Sequence, residues 1–287
     1  MNSIQAQMSR LKESCGPWTA HNILLPNGIT TMPGNSNQRY LQRSYLYHHL
    51  YKTWSQPRRR LYFRSPTVLD IGCLEGGIAI HFASMGFNTV GVDIRETNLK
   101  KADFASKALG LQHKCKWICG DVCDETLWSS FGKFDLIVCG GLLYHLDGSN
   151  IAFVINHMSR KLNNCGLAVV DTNFVDKPSK TIEMDTGLKV YGQDWIEHSD
   201  NDSLTERMPR SWSSLNINKA FWLTERSLCN VLVSYGFTDV IKPMYPYHEW
   251  GHKCRDVYIC RVGSTDSYSP PLRVEPDTRD SEHPGLK

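Results

Sequence analysis

The chain has 287 residues, of which 41% are hydrophobic and 21% charged. That balance and length suit a globular protein with a full core and exclude a wholly disordered, collagenous or coiled-coil chain. Lys plus Arg number 32 and Asp plus Glu 29, a formal net charge of +3, so charge alone neither requires nor excludes nucleic acid.

Asn27-Gly28 and Pro33-Gly34 are turn pairs, and aromatic and polar residues at near-helical spacing predict a helix over Asn37–Trp54. Arg58-Arg59-Arg60 follows Pro57 and leads into the first strand, Thr67–Ile71. A regular alternation begins there. Ile78–Met85 reads as a helix stopped by Gly86, Asn88–Val92 as a strand ending at Asp93, and Glu96–Leu109 as a helix stopped by Gly110. Lys116–Cys119 and Phe134–Cys139 are further strands, Ile151–Leu162 a helix and Leu167–Asp171 a fifth strand. Strands alternating with helices imply right-handed crossovers and a parallel sheet.

Residues 174–221 are polar and irregular, longer than loops usually run, and read as an inserted lid. The pattern resumes with a helix over Thr224–Tyr235, stopped by Gly236. Phe237–Pro243 and Asp256–Val262, joined without a helix, suggest an antiparallel pair at the sheet edge. The Ser-, Thr-, Asp- and Pro-rich end reads as a disordered tail. The expected division is an N-terminal cap segment (1–65), an α/β domain (66–263, lid 174–222) and a tail (264–287), with no internal repeat.

No apolar run reaches the roughly 18 residues that cross a bilayer, and residues 1–12 lack the apolar core of a signal peptide. Ten cysteines without such a signal read as reduced thiols. These features point to a cytoplasmic protein with no membrane partner.

Chemistry concentrates in Val68-Leu69-Asp70-Ile71-Gly72-Cys73-Leu74-Glu75-Gly76-Gly77, a strand, a glycine turn and a helix start. Glycines there bring the backbone close to a ligand and open a helix N-terminus toward it. The next strand ends in Asp93, 23 residues after Asp70, where an acid can bind a ribose diol. Gly120-Asp121-Val122 places a third acid at the same sheet edge, so three acids are expected to converge on the crevice.

These pieces, with Phe134-Asp-Leu-Ile-Val-Cys-Gly140-Gly141, resemble the class I S-adenosylmethionine-dependent methyltransferases over about residues 66 to 263. The resemblance implies a Rossmann-like seven-stranded sheet and S-adenosylmethionine as cofactor. It implies a cofactor-binding set of Asp70, Gly72, Cys73, Gly76, Asp93, Ile94, Asp121, Val122 and Gly140. In that set Gly72 and Gly76 shape the loop around the methionine part, Asp93 holds the ribose hydroxyls, and Asp121 with Val122 surrounds adenine. Leu74 stands where many members have glycine. A nicotinamide enzyme is disfavoured because the turn lacks G-x-G-x-x-G spacing.

The flanks resemble one subgroup, the tRNA wobble-uridine carboxymethyltransferases and their small-molecule relatives. The residues concerned are His21-Asn22-Ile23 through Pro33-Gly34, Leu142-Leu143-Tyr144-His145-Leu146, and Phe221-Trp222-Leu223-Thr224 with Gly236-Phe237. Relatives that take a carboxylated cofactor carry arginines before a Glu-Trp pair. Here Glu249-Trp250 follows Tyr247-His248 without an adjacent arginine, which favours ordinary S-adenosylmethionine.

Tyr144 and His145 follow the fourth strand and are the catalytic candidates, with imidazole suited to proton transfer near neutral pH and Asp147 as its orienter. Tyr191, Trp195, Trp222 and Tyr247 are the candidate substrate-binding residues, among lid and late aromatics that include Trp212, Phe221, Tyr245 and Trp250. Arg43 is a candidate partner for the cofactor carboxylate. The spacing of Cys115, Cys119 and Cys123 falls on a strand and its turn and reads as packing, and no histidine pattern calls for a metal. Three functions remain in play: methyl transfer to oxygen or nitrogen of a small, aromatic or secondary-metabolite acceptor; modification of a tRNA wobble uridine; and cofactor binding without turnover.

Overall fold

A computed structural model describes residues 3–35, 39–59, 64–243 and 254–263. Expectations for Arg60, Tyr245, Tyr247, Glu249, Trp250 and the tail lie outside the described residues.

The N-terminal segment contains a helix that the sequence reading did not include, α1 (Ile4–Cys15), capped by the Ser3 hydroxyl, which accepts from the Ala6 N–H. The turn at 26–28 forms as expected, with Asn27 at φ 62° and Gly28 at φ 71°. It closes a small hairpin in which the Leu25 N–H donates to the Ile29 carbonyl. Helix α2 (Arg39–Arg59) runs past the expected end at Trp54.

The alternation then follows the sequence: β1 (Thr67–Ile71), α3 (Gly77–Ser84), β2 (Asn88–Asp93), α4 (Glu96–Ala108) and β3 (Cys115–Cys119). After these come a short α5 (Glu125–Ser129), β4 (Phe134–Gly140), a 3-10 turn (Leu143–His145), α6 (Gly148–Arg160) and β5 (Leu162–Asn173). Residues 174–221 correct the expectation of irregular chain. They hold β6 (Lys180–Glu183), β7 (Lys189–Ile196), α7 (Leu204–Arg207) and the start of β8 (Lys219–Leu223). Then come α8 (Glu225–Ser234), β9 (Asp239–Ile241) and β10 (Arg255–Arg261).

The main sheet has seven strands in the order β3-β2-β1-β4-β5-β10-β9. The first five are parallel, and β10 inserts antiparallel to both β5 and β9. The expected antiparallel pair therefore exists, with the last strand seated inside the earlier one. Successive residues of a strand bury on opposite faces. Leu69, Ile71, Ile137 and Cys139 join one apolar cluster, while Val68, Leu136 and Val138 join another with Tyr47, Leu50 and Phe82. Burial on both faces is why the central strands read as unbroken apolar runs.

β6, β7 and β8 form a second, antiparallel sheet. Its inner face (Val190, Phe221, Leu223) joins the main core, while Tyr191 and Trp195 stay outside. Among the described residues, no helix is long and apolar enough to cross a membrane.

Candidate functional site

The β1–α3 turn sets the site. Gly72 and Gly76 adopt φ 71° and 75°, and a Cβ at Gly76 would stand 2.5 Å from the Trp117 ring. Leu74 occupies the left-handed region at φ 48°, which costs a side-chain-bearing residue about 1–3 kcal/mol. That conformation aims the Leu74 N–H at Asp93 Oδ2, 2.9 Å away. Glycine would meet the same backbone demand without strain, and nothing in the structure explains the leucine in its place.

A cavity of about 710 Å³ opens at the carboxyl ends of β1 to β4. Its wall comprises residues 72–74, 93–95, 120–123, 140–142, 144–147 and 211–219, with Thr19, Ala20, His21, Tyr40, Arg43, Tyr47, Asn150 and Arg255 among the others. This volume falls in the usual range of small-molecule sites.

The N-terminal segment is pinned over the turn by Glu75, which is fully buried. Its carboxylate accepts from the backbone N–H groups of Thr19, Ala20 and His21 and from the Thr19 hydroxyl. His21 Nδ1 in turn accepts from the Gly77 N–H at the start of α3. Burial pushes the His21 imidazole down to about 4, so it stays neutral and keeps that acceptor lone pair.

Asp93 presents a buried carboxylate to the cavity. Oδ2 accepts from Leu74, and Oδ1 accepts from the Arg95 N–H and Asn98 Nδ2. Burial pushes its carboxyl up, and these donors pull it back only in part. Asp121 Oδ1 accepts from the Cys123 N–H, and its Oδ2 accepts from Asn216 Nδ2 at 2.8 Å.

Arg95 ties the inserted segment down. Its Nε donates to the Met208 carbonyl, and Nη2 donates to the carbonyls of Arg210 and Ser213. These groups follow the short α7, where orphan carbonyls need donors.

At the end of β4, His145 Nδ1 lies 2.8 Å from Glu197 Oε1. Glu197 is almost fully buried, and its Oε2 accepts from the Ser214 N–H. A Glu197 carboxylate can only accept, so Nδ1–H donates to it, which leaves Nε2 as the acceptor nitrogen of the ring. The Tyr144 ring sits 4.3 Å from the imidazole, and its hydroxyl accepts from Arg255 Nη1 at 3.2 Å.

The structure brings Gly72, Cys73, Asp93, Ile94, Asp121, Val122, Gly140, Tyr144, His145 and Arg43 onto one wall, as the sequence indicated. It does not bring Asp70 or Gly76 there. Asp70 lies beneath the turn, accepts from the Ala79 N–H of α3, and is raised by burial to about 7. Its Oδ2 has no hydrogen-bond partner among the described residues. Gly76 faces Trp117 and Ala102, so its role is packing. Asp147 does not orient His145. It caps α6, accepting from the Asn150 N–H.

Tyr191, Trp195 and Trp222 also lie off the cavity wall. Alternation along β7 turns Tyr191 and Trp195 to the outer face, where Trp195, 45% exposed, stacks on Trp222 at 4.5 Å. The wall is closed instead by residues 211–219, of which Trp212 alone was among the expected aromatics. Arg95, Glu197, Asn216 and Arg255 were not singled out, and Glu75 stood in the quoted motif without an assigned role. An acid or arginine in a polar run carries no signal of its fold partner. The Asp185-Thr186-Gly187 turn, whose Gly187 has φ 78°, was the readable cue to the β6–β7 hairpin.

The comparisons agree with this architecture. A solved structure of the N-terminal domain of EvdMO1, determined in the presence of SAH and D-fucose, superposes with a TM-score of 0.67 at 22% identity. The match covers 91% of this chain and 98% of that one. A ubiquinone biosynthesis O-methyltransferase of Rickettsia felis is 24% identical over 135 residues, covering 47% of this chain and 52% of the relative. The uncharacterized protein RP789 of Rickettsia prowazekii is 31% identical over 112 residues, covering 37% of this chain and 19% of the relative. The chain thus spans about half or less of these curated relatives. The profile of the family described as "Methyltransferase domain" matches residues 46–242. The sheet order, the glycine turn and that match agree, and the chain belongs to the methyltransferase-domain family.

Proposed function

We propose that the chain transfers the methyl group of S-adenosylmethionine to an oxygen of a small acceptor. Nitrogen is the secondary target atom. The observation that carries the proposal is one cavity with two unlike ends. Asp93 and Asp121 stand at the ends of β2 and β3, and the His145–Glu197 pair stands at the end of β4. A ligand with a nucleoside at one end and a reacting group at the other spans them.

The residues suit that cofactor. The Asp93 carboxylate, held by three internal donors, is fixed for a vicinal diol. The turn at 72–74 brings backbone to the wall, and Arg43 offers a cation for an amino-acid carboxylate. When bound, S-adenosylmethionine supplies an electrophilic methyl group on a sulfonium sulfur. The protein then aligns the acceptor and excludes water. His145 Nε2 takes the acceptor proton while Glu197 holds the ring, and residues 197–219 act as the lid. Arg255 donates to the Tyr144 oxygen, so the phenol keeps its own proton to donate.

Relatives named as O-methyltransferases and the SAH-containing EvdMO1 structure support this reading. The tRNA reading rests on the flanking motifs. Steep salt dependence of tRNA binding would favour it. Native mass spectrometry with added S-adenosylmethionine tests the main reading. A bound adduct is expected, a carboxylated adduct would turn attention to tRNA, and no adduct at high cofactor overturns it.

A further inference from the structure

Beside Tyr144 the cavity wall carries a guanidinium, Arg255, with N–H groups that the methyl-transfer reading leaves unused. Asp171, at the end of β5 and 2% exposed, faces two guanidinium groups, with Arg255 Nε at 2.6 Å and Arg43 Nε at 3.4 Å. The Tyr47 hydroxyl also donates to it, at 2.5 Å. One carboxylate therefore serves both guanidinium groups.

Arg255 lies on the reacting side of the cavity. It is the first residue of β10 and lines the wall, with its guanidinium carbon 5.4 Å from the Tyr144 ring centroid. A Cβ on Gly141 would sit 3.0 Å from Nη2, so a glycine there leaves that nitrogen room. Asp171 and Tyr144 take two of the five N–H groups a guanidinium offers. The Tyr144 ring separates this cation from the His145 imidazole, so both can act on one small molecule.

We propose that the acceptor is a carboxylate-bearing molecule, held through its carboxylate by Arg255 while its nucleophilic oxygen reaches His145. This rests on the methyl-transfer reading. A planar guanidinium fork matches a carboxylate in geometry as well as charge.

Calorimetry with S-adenosylhomocysteine comes first, because failure to bind removes the methyl-transfer reading itself. The S-adenosylhomocysteine complex is then titrated with 3,4-dihydroxybenzoate and, separately, with its neutral methyl ester. The acid is expected to bind about tenfold tighter than the ester. R255Q should erase that preference while changing S-adenosylhomocysteine affinity by no more than about threefold. R255K, which keeps the charge without the fork, should retain part of it. Equal affinity for acid and ester, joint failure to bind included, overturns the proposal. So does a preference that survives R255Q. If R255Q weakens S-adenosylhomocysteine as much as the acid, Arg255 serves the cofactor carboxylate and the proposal fails. If R255Q shows no folded melting transition, R255K decides, since an undiminished preference in it overturns the proposal.

Discussion

His145 and Glu197 meet across the boundary between the main sheet and the inserted one, Nδ1 to Oε1 at 2.8 Å. One comes from the turn after β4 and the other from the residue after β7. The pair therefore forms only when the inserted segment rests on the core. With an acceptor in hand, His145→Asn should lower kcat by about 10²–10⁴-fold and spare S-adenosylhomocysteine affinity. Glu197→Gln should lower kcat less and distort its pH profile, because the ring loses its fixed tautomer. Wild-type turnover in His145→Asn would make the histidine structural.

Asp93 is the second target. In Asp93→Asn an NH2 replaces one acceptor oxygen and faces either the Leu74 N–H or the donors of Arg95 and Asn98. S-adenosylhomocysteine affinity should fall about tenfold or more by calorimetry. Unchanged affinity, with a normal melting curve, sinks the ribose assignment.

Arg95 should govern how tightly residues 207–213 are held. Its donors reach the carbonyls of Met208, Arg210 and Ser213. In Arg95→Gln, trypsin should cut after Arg207 or Arg210 several-fold faster than in the wild type, as the closed state loses charge-assisted bonds. Cleavage at the wild-type rate would show that other contacts hold this segment.

The N-terminal clasp should be acid-sensitive. His21 is lowered from 6.5 to about 4 in the folded protein. A depressed value means its contribution is fully present above pH 6.5 and is lost as pH falls toward 4. His81, also lowered by burial to about 4, adds a general acid destabilisation of the same sign. S-adenosylhomocysteine affinity should drop over this window, with a change in the fluorescence of Trp18, which is buried beside Phe104. His21→Asn offers the Gly77 N–H an oxygen that does not titrate there, so its affinity should depend less on pH. Identical profiles would refute the clasp.

The parallel sheet was legible because its central strands bury both faces and β1, β3 and β4 stop at glycines. Thr67–Ile71 is bounded by Pro66 on one side and Gly72 on the other, and the strand takes those limits. The cavity wall was legible for the same reason, since Gly72, Asp93, Asp121 and Gly140 sit at strand ends. What the sequence hid was side-chain direction and distant pairing. Trp195 looked like a pocket residue, yet its register on β7 turns it outward. Glu197, two positions further on, carried no signal of its own, yet its side chain is the buried partner of a histidine 52 residues away. Asp70, the first acid of the motif, supports α3 from below because its position on β1 points it under the turn.

Thr19, Ala20 and His21 close one side of the cavity and Arg255 closes another. The wall therefore draws on both the early and the late parts of the chain. During synthesis the parallel strands can assemble while β10 is still unmade, but the ligand's enclosure cannot. A growing chain on the ribosome would hold a half-built cleft, open to solvent, until residue 255 has emerged and β10 has slotted between β5 and β9. Cofactor capture then waits for β10, and a ligand present during translation would act on the seating of that strand and not on the parallel strands before it.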